Sequence, residues 1–444
     1  MSTLAIHSNR TVMPHGVFEA TTVIADGVIA LLIDGSGEGL EGEVLDVGDA
    51  VLMPGVIDPH VHINEPGRTD WEGFDTASRA AAAGGITTMI EMPLNATPVT
   101  TSAEALDEKI KAADGKLHVN CGFWGGLVPE NADNLEALLG SGVFGIKAFL
   151  VDSGLDDFPN VTETDLRKAM HAIAESKMPL LVHAELASNS DGAAIEDYSS
   201  FLASRPKLWE DDAIDMMIQL CAEYHCRTHI VHLSSSNSLE PIKAAKNKGL
   251  PITVETCPHY LMFNAESIPG DNTLYKCTPP IREKDNNDLL WKALSEGGFD
   301  FITSDHSPAP PNLKHLDDGN FEAAWGGIAG LQFLLPAFWT GASSRNMDLT
   351  DIARLLCQAP AEFIGLDSKG KIAAGYDADI VIWDPDKIVD TSLKCIQHKH
   401  KATPYSDLPM HGSVLQTYVN GQLVYGDGEF LSLAQGKALL KNQK

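Results

Sequence analysis

Residues 55–74 read GVIDPHVHINEPGRTDWEGF, and the core of this stretch is the pair His60 and His62. Alternate residues of a β-strand point to the same face, so two histidines two apart on a strand aim at one spot. That is a metal-ligand arrangement, although H-x-H alone is a weak signal. Here the pair ends an apolar run and precedes a Pro-Gly turn. A barrel strand delivers its ligands at such a point.

From residue 51 to about residue 361, strand and helix patterns alternate. The eight strand candidates are VLMPGVIDPHVHI (51–63), GITTMIEMP (85–93), HVNCGFWGGL (118–127), FGIKAFLV (144–151), MPLLVHAE (178–185), RTHIVHLSS (227–235), PITVETCPHY (251–260) and DFITSDHSP (300–308). Helical stretches separate most of them. Eight such units predict an α/β fold of the (β/α)8 TIM-barrel type. An open α/β sheet with miscounted edge strands is the alternative.

Both ends of the chain are rich in strand patterns. Asp26-Gly27 lies between two apolar runs, and Asn420-Gly421 is the turn of a second hairpin. Strand-rich ends that flank a barrel are expected to pair with each other. We therefore predict a small discontinuous β-sandwich domain from residues 1–52 and 367–430, and a barrel over 53–366. Residues 431–444 form a short polar tail, for which a helix is one option.

Composition excludes several classes of partner. The 444 residues carry a net charge of -29, which argues against binding to nucleic acid or anionic membranes. No run of 18 apolar residues offers a membrane span. The start of the chain lacks the apolar core of a signal peptide. The net charge suits a soluble protein with a small uncharged or cationic ligand. Seven scattered cysteines without a C-x-x-C pair indicate reduced thiols in a cytoplasmic protein.

Potential metal ligands stand at five predicted strand ends. They are His60 and His62 on the first strand, Lys147 on the fourth, His183 on the fifth, His232 on the sixth and Asp305 on the eighth. Each alone has an ordinary explanation: a buried histidine with a hydrogen-bond partner, a lysine that reaches the surface, or an aspartate that caps the next segment. Six donors at the face where barrels hold their chemistry are hard to explain by packing.

Four histidines, one aspartate and one lysine suit a centre of two divalent metal ions, with zinc as the expected metal. A lysine ammonium cannot bind a metal. Its neutral amine can, once it has added carbon dioxide to become a carbamate with two oxygens. In that arrangement His60, His62 and Asp305 share one metal, His183 and His232 hold the other, and Lys147 bridges the two. Two cations would lower the pKa of a water between them.

Together with GYDADIV at 375–381, this donor set resembles the amidohydrolase superfamily, and in particular the cyclic amidohydrolases, which open cyclic amide, imide and ureide rings. The resemblance runs from about residue 49 to residue 425. It implies that Lys147 is carboxylated, that Asp305 is both a metal ligand and the catalytic general base, and that the protein forms a homotetramer, as members of this family commonly do.

Differences from the sequence patterns of individual branches indicate which branch of the family this chain resembles. Dihydroorotases carry H-x-H-x-R and a histidine four residues after the aspartate, where this chain has Asn64 and Ala309. Dihydropyrimidinases and hydantoinases place a tyrosine five residues past the lysine, where this chain has Asp152. A site that lacks the arginine and the histidine of dihydroorotases is poorly suited to binding an anionic ring.

Five stretches are instead similar to allantoinases: 60–74, MPLNATP (92–98), KAFLVDSGLDDFP (147–159), KCTPPIRE (276–283) and SDHSPAPPNLK (304–314). The implied reaction is hydrolytic opening of the hydantoin ring of allantoin to allantoate, in purine breakdown. Allantoin is neutral, which agrees with Asn64. A broad-specificity hydantoinase or dihydropyrimidinase, or a dihydroorotase-like enzyme, is the rival. A non-catalytic assembly protein on the same barrel would be expected to have lost ligands.

Candidate substrate-binding residues are Asn64, Asn95, Ser153 and the backbone around Thr278. Asn95 can equally be a turn residue, and Ser153 with Gly154 can equally form a structural turn. His259 and His306 are expected to orient metal ligands rather than to bind metal.

Overall fold

The computed structural model describes residues 3–40, 42–188, 194–431 and 434–441. Strands precede, build and follow a barrel. The strands before the barrel are β1 Thr3–Met13, β2 Gly16–Ala25, β3 Val28–Asp34, β4 Val44–Asp46 and β5 Val51–Pro54. Those of the barrel are β6 Val56–Val61, β7 Ile86–Glu91, β8 Asn120–Phe123, β9 Gly125–Gly126, β10 Ile146–Phe149, β11 Leu180–His183, β12 Thr228–Ile230, β13 Ile252–Thr256 and β14 Phe301–Ile302. Both β8 and β9 lie within the predicted third strand, 118–127, and are counted together as the third of eight barrel strands. Those after it are β15 Ile380–Ile388, β16 His411–Val419, β17 Gln422–Gly426 and β18 Glu429–Phe430.

Helices follow most barrel strands and cover the barrel. They are α1 Phe74–Ala83, α2 Ala103–Ala113, α3 Glu136–Gly140, α4 Glu163–Ser176, α5 Tyr198–Ser204, α6 Lys207–Tyr224, α7 Leu239–Asn247, α8 Pro258–Met262, α9 Lys284–Ser295, α10 Leu334–Ser343, α11 Leu349–Ala353 and α12 Ala359–Ile364. Side chains fix several starts: Ser102 caps α2, and Thr162 with Asp165 forms a capping box on α4. None of the described helices combines the length and apolar character that crossing a bilayer requires.

The barrel strands are parallel and follow chain order. One run pairs β6, β7 and β8, and another pairs β9 through β14. Two contacts join the runs. The Phe144 amide donates to the Phe123 carbonyl at 3.0 Å, and the His62 amide donates to the His306 carbonyl at 2.8 Å. All residues of β6, β7, β10 and β11 are buried, as expected for strands covered on both faces.

Both chain ends contribute to one nine-stranded sheet in the order β18-β17-β16-β15-β5-β1-β2-β3, with β4 paired to β1. Ile6, Ile24, Leu52 and Ile380 belong to a separate apolar cluster within this sheet. The predicted combination of a (β/α)8 barrel with a β domain from both ends is therefore confirmed. All seven cysteines are free, and six of them are buried.

The predicted first barrel strand, 51–63, is two strands divided at Gly55. Residues 51–54 pair with β15 in the end sheet, whereas residues 56–61 pair with β7 in the barrel. A side chain cannot be accommodated at the division, because a Cβ on Gly55 would lie 2.2 Å from the side chain of Thr87. The apolar run is continuous in sequence, and for this reason its pattern did not indicate the break.

The tail is not helical in its described part, residues 434–441. Its backbone bonds to the barrel instead: the Cys121 amide donates to Lys437, and the Leu439 amide donates to Cys121. The Lys441 amide donates to Gly142 in the same way. Residues 432–433 and 442–444 lie outside the described residues. Pairing with a neighbouring segment has used the backbone groups that a helix would need.

Candidate metal centre

The six predicted donors lie at one end of the barrel. His60 is in β6 with His62 one residue beyond it, Lys147 is in β10, and His183 ends β11. His232 and Asp305 follow β12 and β14 within three residues. All six are buried, and the most exposed, Asp305, has only 7% of its surface accessible. Parallel strands deliver their carboxyl ends to one face of a barrel, which is why donors distant in sequence meet.

Asp305 joins the two histidines of the first strand. Its Oδ1 lies 3.1 Å from His60 Nε2 and 3.5 Å from His62 Nε2. Donor atoms of His60, His232 and Asp305 lie within 4.8 Å of one another, a spacing that a single cation can bridge. The ring centroids of His183 and His232 are 4.6 Å apart, so the remaining histidine adjoins this group.

Lys147 has no ordinary partner for its amine. Nζ is buried, makes no hydrogen bond to the described residues, and lies 4.9 Å from the centre of the Phe149 ring. Burial lowers the pKa of Lys147 to about 7, although Asp305 and Glu255 act in the opposite direction. A neutral amine is therefore accessible near neutral pH, and only that form can add carbon dioxide.

Three other buried ring nitrogens at the centre make no hydrogen bond of good geometry within the described ranges: His62 Nδ1, His232 Nδ1 and His60 Nε2, the last despite lying 3.1 Å from Asp305 Oδ1. Buried polar atoms are nearly always satisfied, so such a group calls for an explanation. A cation bound among them would accept their lone pairs. The donor set of imidazoles and a carboxylate fits zinc and similar divalent metals.

Two carboxylates lie behind the histidines. Glu255 Oε1 is 2.5 Å from His60 Nδ1, and its other oxygen is 3.1 Å from His229 Nε2. Glu185 Oε2 is 2.7 Å from His183 Nε2. A carboxylate behind a metal-binding histidine fixes the tautomer of the ring and raises its basicity.

Glu185 is held in turn by Arg205, whose Nη2 and Nε lie 2.5 and 3.1 Å from its two oxygens. Burial opposes the ionisation of Glu185, but Arg205 and His183 outweigh it and lower the pKa to about 2. The sequence patterns did not indicate Glu185 or Glu255. The available signals were an acid two residues after His183 and an acid inside the apolar strand PITVET.

Two of the donors occupy an uncommon backbone conformation. His232 has φ 40° and Asp305 has φ 44°, both in the left-handed region. Residues other than glycine adopt this region infrequently, and they persist there where the surrounding structure requires it. Such positions concentrate at functional sites, which agrees with the placement of these two side chains.

A small pocket of about 50 Å³ opens onto the centre. Four donors line it, together with Asn95, Ser153, Thr278, Ser307 and Trp325. Three of the four predicted substrate-binding residues thus reach the pocket. The fourth, Asn64, does not line it; it is fully buried and its Nδ2 donates to the Asn95 carbonyl at 3.3 Å. Ser307 and Trp325 were not indicated by sequence.

The predicted substrate-binding residues differ in whether their polar side-chain atoms already have hydrogen-bond partners in the protein. Ser153 Oγ donates to the Phe158 carbonyl at 2.6 Å and accepts from the Leu155 amide, so its side chain is part of a turn. Asn95 has φ 72° and its Oδ1 is without a partner among the described residues. The Asn95 oxygen is therefore available to a ligand, whereas the Ser153 hydroxyl is engaged.

His306 supports the first strand through its backbone, because its carbonyl accepts from the His62 amide. Its ring Nδ1 accepts from the Gly330 amide at 3.1 Å, and its Nε2 lies 3.7 Å from Glu72. The ring of His259 is buried and packs 4.2 Å from that of Tyr260. Neither ring makes a hydrogen bond to a metal-ligand candidate within the described part of the chain.

Comparisons with known proteins agree with this geometry. Residues 51–424 match the model of the "Amidohydrolase family". The chain is 43% identical to an allantoinase of Arabidopsis thaliana, over 98% of this chain and 90% of that protein. It is 44% identical to an allantoinase of Streptomyces avermitilis, over 96% of each. Among solved structures, an L-hydantoinase (dihydropyrimidinase) from Arthrobacter aurescens matches with a TM-score of 0.93 and 30% identity, over 99% of this chain and 100% of that one.

Proposed function

This chain belongs to the amidohydrolase family, and we propose that it is an allantoinase, a hydrolase that opens the hydantoin ring of allantoin to give allantoate. The observation that carries the proposal is the identity of 43–44% to allantoinases over nearly the whole chain. The family is generally metal-dependent, and His60, His232 and Asp305 form a possible metal site. The reaction belongs to the breakdown of purines.

The pocket supports a neutral substrate. Its described lining contains no lysine or arginine, so an anionic ring would find no cationic side chain there. Asn64 and Ala309 stand where dihydroorotases carry an arginine and a histidine. Allantoin is uncharged and offers carbonyl and N–H groups to polar residues such as Asn95.

We propose two divalent cations, with zinc as the metal, held by the six donors. His60, His62 and Asp305 would hold one, and His183 and His232 the other. Lys147, carboxylated at Nζ, would help to hold both. The unpaired amine and its lowered pKa support this role for Lys147. Cations bound here would polarise a ring carbonyl and make a water nucleophilic at neutral pH.

Asp305 is the proposed general base. It accepts a proton from the attacking water and returns that proton to the ring nitrogen as the carbon–nitrogen bond breaks. One carboxylate thus serves both halves of the hydrolysis. Its position supports this role, because its Oδ1 lies beside the rings of His60 and His62 and its side chain lines the pocket. Throughout the reaction, Glu255 holds the orientation of the His60 ring and Glu185 that of the His183 ring.

Three broader features complete the proposal. The chain would divide into a β domain of residues 1–52 and 367–430, a catalytic barrel of 53–366 and a tail of 431–444. The protein would be cytoplasmic, which seven free cysteines support. It would assemble as a homotetramer, as family members commonly do; light scattering after gel filtration tests this directly.

Substrate specificity tests the proposed function. The kcat/KM of the zinc-loaded protein would be measured for allantoin, hydantoin, dihydrouracil and dihydroorotate. We expect allantoin to be preferred and dihydroorotate, the anionic ring, to be turned over least. A preference for hydantoin or dihydrouracil would indicate that the protein is a hydantoinase or dihydropyrimidinase and not an allantoinase. No turnover of any of the four rings would favour a non-catalytic protein.

A further inference from the structure

One wall of the pocket comes from the loop after the eighth barrel strand. Trp325, Gly326 and Gly327 line the pocket. The indole of Trp325 packs edge-on against Trp71, with ring centroids 5.0 Å apart. A Cβ on Gly154 would lie 3.6 Å from the same indole. Trp325 therefore stands where loops from the first, fourth and eighth strands meet.

The indole N–H of Trp325 is buried and has no partner among the described residues. Only one other buried polar side-chain atom of the pocket lining, outside the proposed metal donors, is likewise unpaired within the described ranges: Asn95 Oδ1. The first is a donor and the second an acceptor. A ureido group carries both complementary functions, a carbonyl oxygen and N–H groups.

A buried ammonium holds this wall in place. Lys314 Nζ lies 3.0 Å from the Trp325 carbonyl, 2.9 Å from the Gly327 carbonyl and 3.1 Å from the Lys276 carbonyl. The Trp325 amide also donates to the Leu313 carbonyl at 2.7 Å. Burial lowers the pKa of Lys314 to about 7, while the three carbonyl oxygens favour the ammonium, because only the charged amine has three hydrogens to donate.

We propose that Trp325 is a specificity-determining residue that recognises the ureido arm of the substrate through its indole N–H, and that Lys314 is the positioning residue that holds it there. This inference rests on the proposed function and names the part of allantoin that the pocket selects. Hydantoin shares the ring that is opened but lacks the ureido arm. Comparing the two substrates therefore measures the contribution of the contact between Trp325 and that arm.

Trp325→Phe removes the N–H and keeps an aromatic ring. We expect kcat/KM for allantoin to fall about threefold to tenfold, the range for loss of one neutral hydrogen bond, and kcat/KM for hydantoin to change less than twofold. Equal loss on both substrates, or no loss on either, would overturn the role of Trp325.

Lys276 provides a matched control for Lys314. Its Nζ also meets three backbone carbonyls, but they belong to Phe321, Glu322 and Ala324, none of which lines the pocket. Lys314→Met should raise KM for allantoin with little change in kcat for hydantoin. Lys276→Met should lower the allantoin-to-hydantoin ratio less than Lys314→Met does. Equal effects of the two lysine variants would mean that Lys314 has only a structural role.

Binding to metal-free protein gives a readout independent of turnover. Quenching of tryptophan fluorescence by allantoin should exceed quenching by hydantoin in the wild type, and Trp325→Phe should abolish the difference. These measurements distinguish a failure of the proposed function from a failure of the inference about Trp325. A wild type that does not open allantoin contradicts the proposed function, whereas one that opens it with an allantoin-to-hydantoin ratio unchanged by Trp325→Phe contradicts this inference alone.

Discussion

Glu255 Oε1 lies 2.5 Å from His60 Nδ1, so a carboxylate of the seventh barrel strand orients a histidine of the first. The two residues are 195 positions apart in the chain. Both are almost fully buried, and the second oxygen of Glu255 is shared with His229. The proposed metal centre would therefore consist of an inner group of donors and of carboxylates that hold those donors in one orientation.

Glu255→Gln should weaken zinc binding about tenfold to a hundredfold, because the amide cannot fix the tautomer of His60 as a carboxylate does. Competition with a chelator of known affinity measures this change. Glu223→Gln is the matched control, since Glu223 is exposed and pairs with Arg167 at the surface. Zinc affinity equal to that of the wild type in the Glu255 variant would show that this carboxylate is not needed for the site.

Lys369 links two acids next to the barrel. Its Nζ lies 2.5 Å from Asp379 and 2.9 Å from Asp377, and Asp379 also accepts from Asn120 of β8 and the Asn420 amide. Lys369→Met leaves Asp379 buried without its cation, which should cost about 3–5 kcal/mol. Lys292→Met, in an exposed pair, should cost about 0.5 kcal/mol or less. Equal shifts of the two denaturation midpoints would contradict this assignment.

Gly436 allows the tail to reach the barrel. A Cβ there would lie 2.0 Å from the Val119 carbonyl oxygen. Gly436→Ala should release the tail and speed hydrogen exchange of the Cys121 amide, which donates to Lys437. Gly140→Ala, where a Cβ meets open space, is the control and should leave that exchange unchanged. Protection of Cys121 that survives Gly436→Ala would mean that the tail does not provide it.

Cys395 is the only cysteine that is not fully buried, and its Sγ donates to Asp390 at 3.0 Å. This hydrogen bond and burial raise the pKa of the thiol above its ordinary value. Asp390→Asn should lower that pKa, so alkylation of Cys395 at pH 8 should become severalfold faster, since the thiolate is the reactive form. Asp386→Asn serves as the exposed control, and unchanged labelling in the Asp390 variant would contradict the assignment.

That the six candidate donors lie together could be predicted, because each stands in or just after a strand with a clear apolar pattern. Lys147, His183 and Asp305 are conspicuous in that setting, and barrel geometry brings such ends together. Glu255 could not be predicted in the same way, because its partner His60 lies on another strand and the sequence does not show that the two side chains meet. Its acidic side chain looks unfavourable in a buried strand until His60 and His229 are seen beside it.

The positions of the pocket wall and the tail could not be predicted from sequence patterns, for a different reason. Trp325 belongs to a long loop without helix or strand periodicity, and its position depends on a contact between its carbonyl and Lys314 that no sequence pattern indicates. The tail pairs through backbone groups, so its side chains carry little information about where it lies. Asn64 was predicted to contact substrate because it stands where dihydroorotases carry an arginine, yet its side chain is fully buried, does not line the pocket and donates to the Asn95 carbonyl.

Allantoate formed from racemic allantoin by the zinc-loaded protein, measured beside a Lys147→Ala variant, tests the central claim most directly. We expect rapid ring opening by the wild type and its loss in the variant. Absence of allantoate with an active hydantoin or dihydrouracil reaction would contradict the assigned substrate. Full activity of Lys147→Ala would contradict the two-metal centre, because a single cation would then suffice.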